Sequence, residues 1–153
     1  MKIGVISDTH LHSVSSNFAH LYQKYLVDTD ILIHCGDYVG EEIVYFLSNH
    51  KHFVGVKGNC DFFSLDLPLR IEFEIGKWRL GIIHGFGYKN LHLQPEQLHL
   101  AFEQVDIICF GHTHKKTFLK IGDVYFLNPG TCQSSLALLD LSSSEPQVQF
   151  IDF

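Results

Sequence analysis

The sequence predicts one mixed α/β domain spanning residues 1–153, and three observations carry that prediction. Short runs rich in Ile, Val and Phe alternate with helix-like segments through the first half. In the second half, alternating runs joined at Gly-containing turns take over from the helices. The length suits one core, since a chain of this size buries roughly 68–70% of the surface that its unfolded form exposes. From the residues alone, the layout is either one mixed sheet or two packed sheets with outer helices.

Lys2–Ile6 reads as a buried strand, and Ser15–Leu26 as a helix with Phe18, Leu21, Tyr22 and Tyr25 on one face. Ile31–His34 is a second strand, Glu41–Asn49 a helix and Phe53–Val56 a third strand. That β-α-β-α-β order implies parallel pairing with right-handed crossovers. Arg70–Ile75 turns at Gly76-Lys77 into Trp78–Ile83, and Pro95–Phe102 reads as a helix. Asp106–Phe110 is another buried strand. Lys116–Ile121, Val124–Leu127 and Ser135–Leu141 follow as antiparallel runs, with a hairpin turn at Gly122-Asp123, and Gln147–Phe153 closes the chain.

Composition narrows the function. The net charge is −6 with His neutral, and no dense Lys/Arg stretch exists, which argues against tracking along a long nucleic acid. One phosphate at a locally positive site is still compatible with that charge. No apolar run approaches the length of a membrane span, and the four Cys are spread out with no C-x-x-C pair. The expectation is a cytoplasmic protein with reduced, packed thiols. The unusual number is His: 11 residues, as many as Lys and Arg together. Imidazole is the commonest metal ligand, so the placement of these side chains matters.

They fall where strands end. Asp8 and His10 follow the first strand, Gly36-Asp37 the second and Gly58-Asn59 the third. His84-Gly85 follows Trp78–Ile83, and Gly111-His112-Thr113-His114 follows Asp106–Phe110. Ligands of open α/β sheets bind at the carboxyl ends of strands. In extended backbone, residues i and i+2 share a side, which would bring Asp8 together with His10 and His112 together with His114. Taken singly, Asp8 is an ordinary helix cap, Gly36-Asp37 and Gly58-Asn59 ordinary turns, and His84 a half-buried histidine. Five segments delivering carboxylate, amide and imidazole to one edge are a constellation. Mixed oxygen and imidazole donors suit Mn, Fe, Zn or Ni better than Ca.

The ordered set D-x-H, G-D, G-N, H-G and G-H-x-H resembles the calcineurin-like metallophosphoesterase family. The words Ile6-Ser7-Asp8-Thr9-His10, His34-Cys35-Gly36-Asp37, Gly58-Asn59-Cys60-Asp61 and Asn128-Pro129-Gly130-Thr131 point to its small YfcE-type phosphodiesterase branch. The resemblance implies a two-sheet β-sandwich flanked by helices. It implies two divalent ions, Mn first, with Fe, Ni, Zn or Mg as alternatives. One ion would take Asp8, His10 and His114 and the other Asn59, His84 and His112, with Asp37 bridging. Asp37, Asn59 and His84 are then expected to serve catalysis as well as ligation.

The implied activity is hydrolysis of a small-molecule phosphoester by a two-metal-activated hydroxide, a diester in preference to a monoester. A homodimer or homotetramer is the expected assembly. Three departures from the family pattern concern substrate contacts. Cys60 stands where many relatives have His, and nearby cations are expected to favour its thiolate. Phe86 replaces the second His of H-G-H. Cys132-Gln133-Ser134-Ser135 lacks the Pro-Arg that often follows, which removes a substrate-contacting guanidinium. The rival class is a metal-vestigial interaction scaffold like the retromer subunit of this fold, but all seven ligand positions hold competent residues. A metallo-β-lactamase pattern is absent, because His112-Thr113-His114 continues into Lys115-Lys116.

Overall fold

The computed structural model describes residues 1–62 and 64–153. Strand β1 (Lys2–Ile6) lies between β2 (Ile31–His34), to which it runs parallel, and β9 (Ser135–Asp140), to which it runs antiparallel. With β3 (Phe53–Gly55) and β10 (Gln147–Asp152) at its edges, this sheet has the order β10-β9-β1-β2-β3. The second sheet contains β4 (Arg70–Ile75), β5 (Trp78–Ile83), β6 (Ile107–Phe110), β7 (Thr117–Ile121) and β8 (Val124–Asn128), in the order β4-β5-β6-β8-β7.

The near-continuous apolar runs have a direct cause: the central strands are covered on both faces. Ile3 and Val5 of β1, Leu80 and Ile82 of β5, and Ile107 and Cys109 of β6 meet in the layer between the sheets. The alternate residues face outwards. Ile6 and Leu32 pack under helix α2 (Glu41–Leu47) through Ile43 and Leu47, while Ile108 and Phe110 pack against Leu98 and Phe102. The helix-flanked two-sheet sandwich is therefore as the family resemblance implied.

Several local expectations need correction. The helix predicted over Ser15–Leu26 is α only as α1 (Ser16–Leu21), capped by the Ser15 side chain, which accepts the Phe18 N–H at 3.1 Å. It continues as a π segment, Tyr22–Leu26. The wider turn lets Leu26 stay in the same core cluster as Leu21, a five-residue spacing that α-helical winding would rotate away. Pro95–Ala101 is a 3₁₀ helix, with proline in its first turn. The run of antiparallel strands after β6 is also divided: β8 pairs parallel with β6, and β9 crosses to the first sheet. Strand pairing is a long-range choice that local pattern does not encode.

Among the described residues, no helix is long and apolar enough to cross a membrane. The four cysteines carry no disulfide.

Candidate metal centre

The loops that follow β1, β2, β3, β5 and β6 converge at one rim of the sandwich. Asp8, His10 and His114 present ligand atoms within 4.8 Å of one another, and so do Asp8, Asp37 and His84. His114 Nε2 lies 3.2 Å from Asp8 Oδ1, and 3.3 Å from His10 Nε2. His10 Nε2 is 3.8 Å from both Asp8 Oδ1 and Asp37 Oδ2, so it stands between the two carboxylates. On the other side, His84 Nε2 is 3.2 Å from Asp37 Oδ2 and 3.0 Å from Asn59 Oδ1. The His112 ring lies 5.2 Å from that of His84, and its backbone N–H donates to Asp8 Oδ2 at 3.1 Å. All seven residues singled out in the sequence thus reach one rim.

They converge for a different reason from the one their spacing suggested. Extended backbone was expected at Asp8-x-His10 and His112-x-His114. Instead φ is 55° at Asp8, 49° at His10, 66° at His112 and 58° at His114, and Asp37 joins them at 61°. Left-handed conformation costs a non-glycine residue roughly 1–2 kcal/mol. Five such residues in one cluster mark strain that the surrounding structure must hold in place.

The holding groups are mostly ones to which the sequence reading assigned no role. Asp61, buried, accepts from the N–H of Asp37 at 2.9 Å, of Gly58 at 2.7 Å and of Val39 at 2.9 Å. Thr131 donates its hydroxyl to the Asp8 carbonyl at 2.9 Å, and Asn128 donates its amide to the Gly111 carbonyl at 2.9 Å. A Cβ on Gly111 would meet Asp8 Oδ2 at 2.8 Å, so the loop can close only over glycine. The quoted words Gly58-Asn59-Cys60-Asp61 and Asn128-Pro129-Gly130-Thr131 were the available signal. Asp61 stands two residues after Asn59, and Asn128 and Thr131 lie outside the ligand motifs.

Electrostatics divides the two carboxylates. Burial pushes Asp8 up, against the opposing pull of the Ser7 hydroxyl and of His84. Burial also works against charge at Asp37, but His84 and the Cys60 N–H, at 2.8 Å, hold it well below the usual carboxylate range. Burial lowers His84 while Asp37 and Asp8 raise it, and the carboxylates win. His112 is lowered by burial and by His84. Burial, and after it the Asp37 carboxylate, push the Cys60 thiol up to about 11. Its sulfur also shares a 4.8 Å cluster with His10 and Asp37.

The donor set fits a divalent cation. Asp8 Oδ2 accepts from the Ser7 hydroxyl at 2.6 Å and from His112 N–H, whereas Asp8 Oδ1 is buried without any hydrogen bond. A buried carboxylate oxygen that accepts no hydrogen bond is costly. A cation held between that oxygen and the His10 and His114 nitrogens would satisfy it, and oxygen-plus-imidazole is a transition-metal donor set.

Comparison with known proteins agrees with this geometry. A family profile described as a calcineurin-like phosphoesterase superfamily domain matches residues 1–143. A probable metallophosphoesterase of Methanocaldococcus jannaschii is 35% identical over 135 residues, covering 86% of this chain and 68% of that protein. A phosphodiesterase of the same organism is 29% identical over 147 residues, covering 86% and 84%. Among solved structures, zinc-complexed Vps29 of Entamoeba histolytica superposes with a TM-score of 0.76 over 99% of both chains. At 24% identity, that likeness speaks for the fold alone.

Proposed function

The chain belongs to the calcineurin-like phosphoesterase superfamily, and on that premise we propose that it is a metal-dependent phosphodiesterase acting on a small phosphoester. One observation carries the reading: the buried Asp8 Oδ1, which accepts no hydrogen bond, faces His10 and His114, beside a second group of Asp37, His84 and Asn59. Asp8, His10 and His114 would hold one ion, and Asn59, His84 and His112 the other, with Asp37 shared. Manganese is the first choice, and Fe, Ni, Zn or Mg are the alternatives.

When bound, two divalent ions supply Lewis acidity at phosphoryl oxygens and a water acidified towards neutral pH. The chain's own part is positioning. His84 donates from Nδ1 to the Cys35 carbonyl at 2.8 Å, which turns Nε2 towards Asp37 and Asn59. To ligate, an imidazole must offer an unprotonated ring nitrogen, so metal binding favours the neutral form of each histidine. His10 and His114 are partly open to solvent, whereas Asp8 is fully buried, so a phosphoester has an approach from the histidine side.

The rest of the reading is a single domain over 1–153, cytoplasmic and homo-oligomeric. The four thiols, free of disulfides, support the compartment. The net charge of −6 favours a small substrate over long nucleic acid. Scaffold function on the same fold is the second reading, and the complete set of seven donors counts against it.

Stripping with chelator, reloading with Mn²⁺, elemental analysis and hydrolysis of bis(p-nitrophenyl) phosphate test the proposal together. The expected result is up to two ions per chain and activity that returns with them. Protein that takes up no metal on reloading would overturn the enzyme reading in favour of the scaffold.

A further inference from the structure

Beside the candidate metal centre lies a pocket of about 360 Å³ with Asn59 and His84 in its wall. We infer that this pocket seats one arm of the phosphodiester, and that this arm carries a planar ring and an anionic group of its own. The inference rests on the phosphodiesterase reading and names the substrate class for that same site.

Position makes the first argument. Because Asn59 and His84 belong both to the ligand set and to the pocket wall, a phosphoester bound at the centre has the pocket within reach of a substituent. The volume lies in the range of about 300–1,000 Å³ that ligand sites occupy. Arg70, at the start of β4, is paired across the strands with Ile83, the residue before His84. Cross-strand partners on one face stand about 4.5–5.5 Å apart at Cβ, so the guanidinium springs from the same rim as the ligand.

The chemistry of the lining makes the second. Phe86 and Tyr88 supply aromatic surface, and Lys57 and Arg70 supply positive charge. Among the described residues, no carboxylate lines the pocket, although the chain as a whole carries −6. Phe86 sits between Gly85 (φ 103°) and Gly87 (φ 94°), on a turn that leaves it 65% exposed. The positive φ of Gly85 is one that a side chain would strain, so the turn favours glycine there. The Phe86 ring packs edge-on to His112, centroids 5.8 Å apart, rather than into a core. A phenylalanine held out beside a ligand ring offers an open face for stacking. Aromatic faces and a guanidinium plane together favour a flat ring, and Arg70 favours an anion beside it. Arg70 also provides, from another strand, the guanidinium that the Cys132-Gln133-Ser134-Ser135 stretch lacks.

Three p-nitrophenyl phosphodiesters test this with Mn²⁺-loaded enzyme: the methyl ester, the thymidine 5′-ester, and the thymidine 5′-ester bearing a 3′-phosphate. In the wild type, KM should fall along that series. Phe86→Ala should raise the thymidine-to-methyl KM ratio about ten-fold, the scale of losing one stacking partner, and Phe86→Trp should restore it. Arg70→Ala should raise about ten-fold the KM ratio between the 3′-phosphorylated and plain thymidine esters, and Arg70→Lys should recover it in part. A methyl ester cleaved with the same KM as the other two, or ratios that stay fixed in the variants, overturns this inference alone. Failure to cleave any of the three by metal-loaded enzyme overturns the phosphodiesterase reading and this inference with it.

Discussion

The Asp61 carboxylate accepts the backbone N–H of Asp37 at 2.9 Å, so one buried acid fixes the main chain of another. The same carboxylate also receives Gly58 and Val39, tying the loop after β2 to the loop after β3. Asp37 and Val39 both have positive φ, 61° and 79°, so these hydrogen bonds hold a backbone that would otherwise relax. Asp61→Ala leaves three N–H groups without an acceptor, at about 1–3 kcal/mol for each that stays buried. The expected loss is about 3 kcal/mol or more, read from the urea midpoint of metal-free protein at constant slope. A loss below about 0.5 kcal/mol, the ordinary surface range, contradicts the bracing role.

The shared carboxylate should matter more than the single amide. Asp37 lies 3.8 Å from His10 and 3.2 Å from His84, touching both halves of the cluster, whereas Asn59 meets His84 in one half of it. Asp37→Ala is expected to abolish turnover and to lower metal occupancy at both sites. Asn59→Ala should reduce occupancy at one site and retain measurable turnover. Turnover measured beside metal content settles the order, and the reverse order removes Asp37 from the bridging position.

The parts of this site that were legible in the sequence were those with chemical signatures. Asp8, His10, Asp37, Asn59, His84, His112 and His114 each combine a ligand side chain with a strand end, and both features are local. The left-handed backbone at five of them was not legible, because non-glycine residues disfavour it and only tertiary hydrogen bonds retain it. Asp61 and Thr131 had no signature of their own, since their partners are backbone groups of other loops. In the fold, the helices and most strand limits followed apolar periodicity. The π segment at Tyr22–Leu26 and the crossing of β9 into the first sheet depend on long-range packing.

Acid should destabilise the metal-free protein through His34. Its ring is wholly buried and stacked on Tyr38 at 3.7 Å. Nδ1 accepts the Gly36 N–H at 3.1 Å, so the Nε2 proton is donated to the Thr9 hydroxyl at 2.7 Å. A second proton would break the bond to Gly36. Burial lowers the folded pKa well below 6.5, so the unfolded chain binds more protons once pH falls below about 6.5. The stabilisation is complete above that value and is lost on acidification, by at most about 1.4 kcal/mol per pH unit. His50, lowered by burial, has the same sign, whereas His84, raised, has the opposite one. Comparing wild type with His34→Gln from pH 7.5 to 5.0 cancels those common contributions. The variant should show the flatter profile, and parallel profiles would refute the assignment.

Cys60→His tests what the thiol withholds from the reaction. Its sulfur lies in the cluster with His10 and Asp37. Burial and Asp37 push the thiol up to about 11, and bound cations would draw it the other way. At neither extreme does it match proton transfer near neutral pH, for which a well-placed acid contributes typically about 10²–10⁴-fold. Esters with a stable aryl leaving group need no such proton, so the wild type should cleave aryl phosphodiesters well and alkyl phosphodiesters poorly. Monoesters should also be slow, because the dianion resists attack when no cationic donor is added. An imidazole at position 60 titrates near neutrality and can supply the proton. The substitution should therefore raise alkyl-ester turnover about ten-fold or more relative to aryl-ester turnover, provided elemental analysis finds the same metal content. An unchanged aryl-to-alkyl ratio at equal metal content would leave Cys60 a packed neighbour of Asn59 and place the leaving-group proton elsewhere.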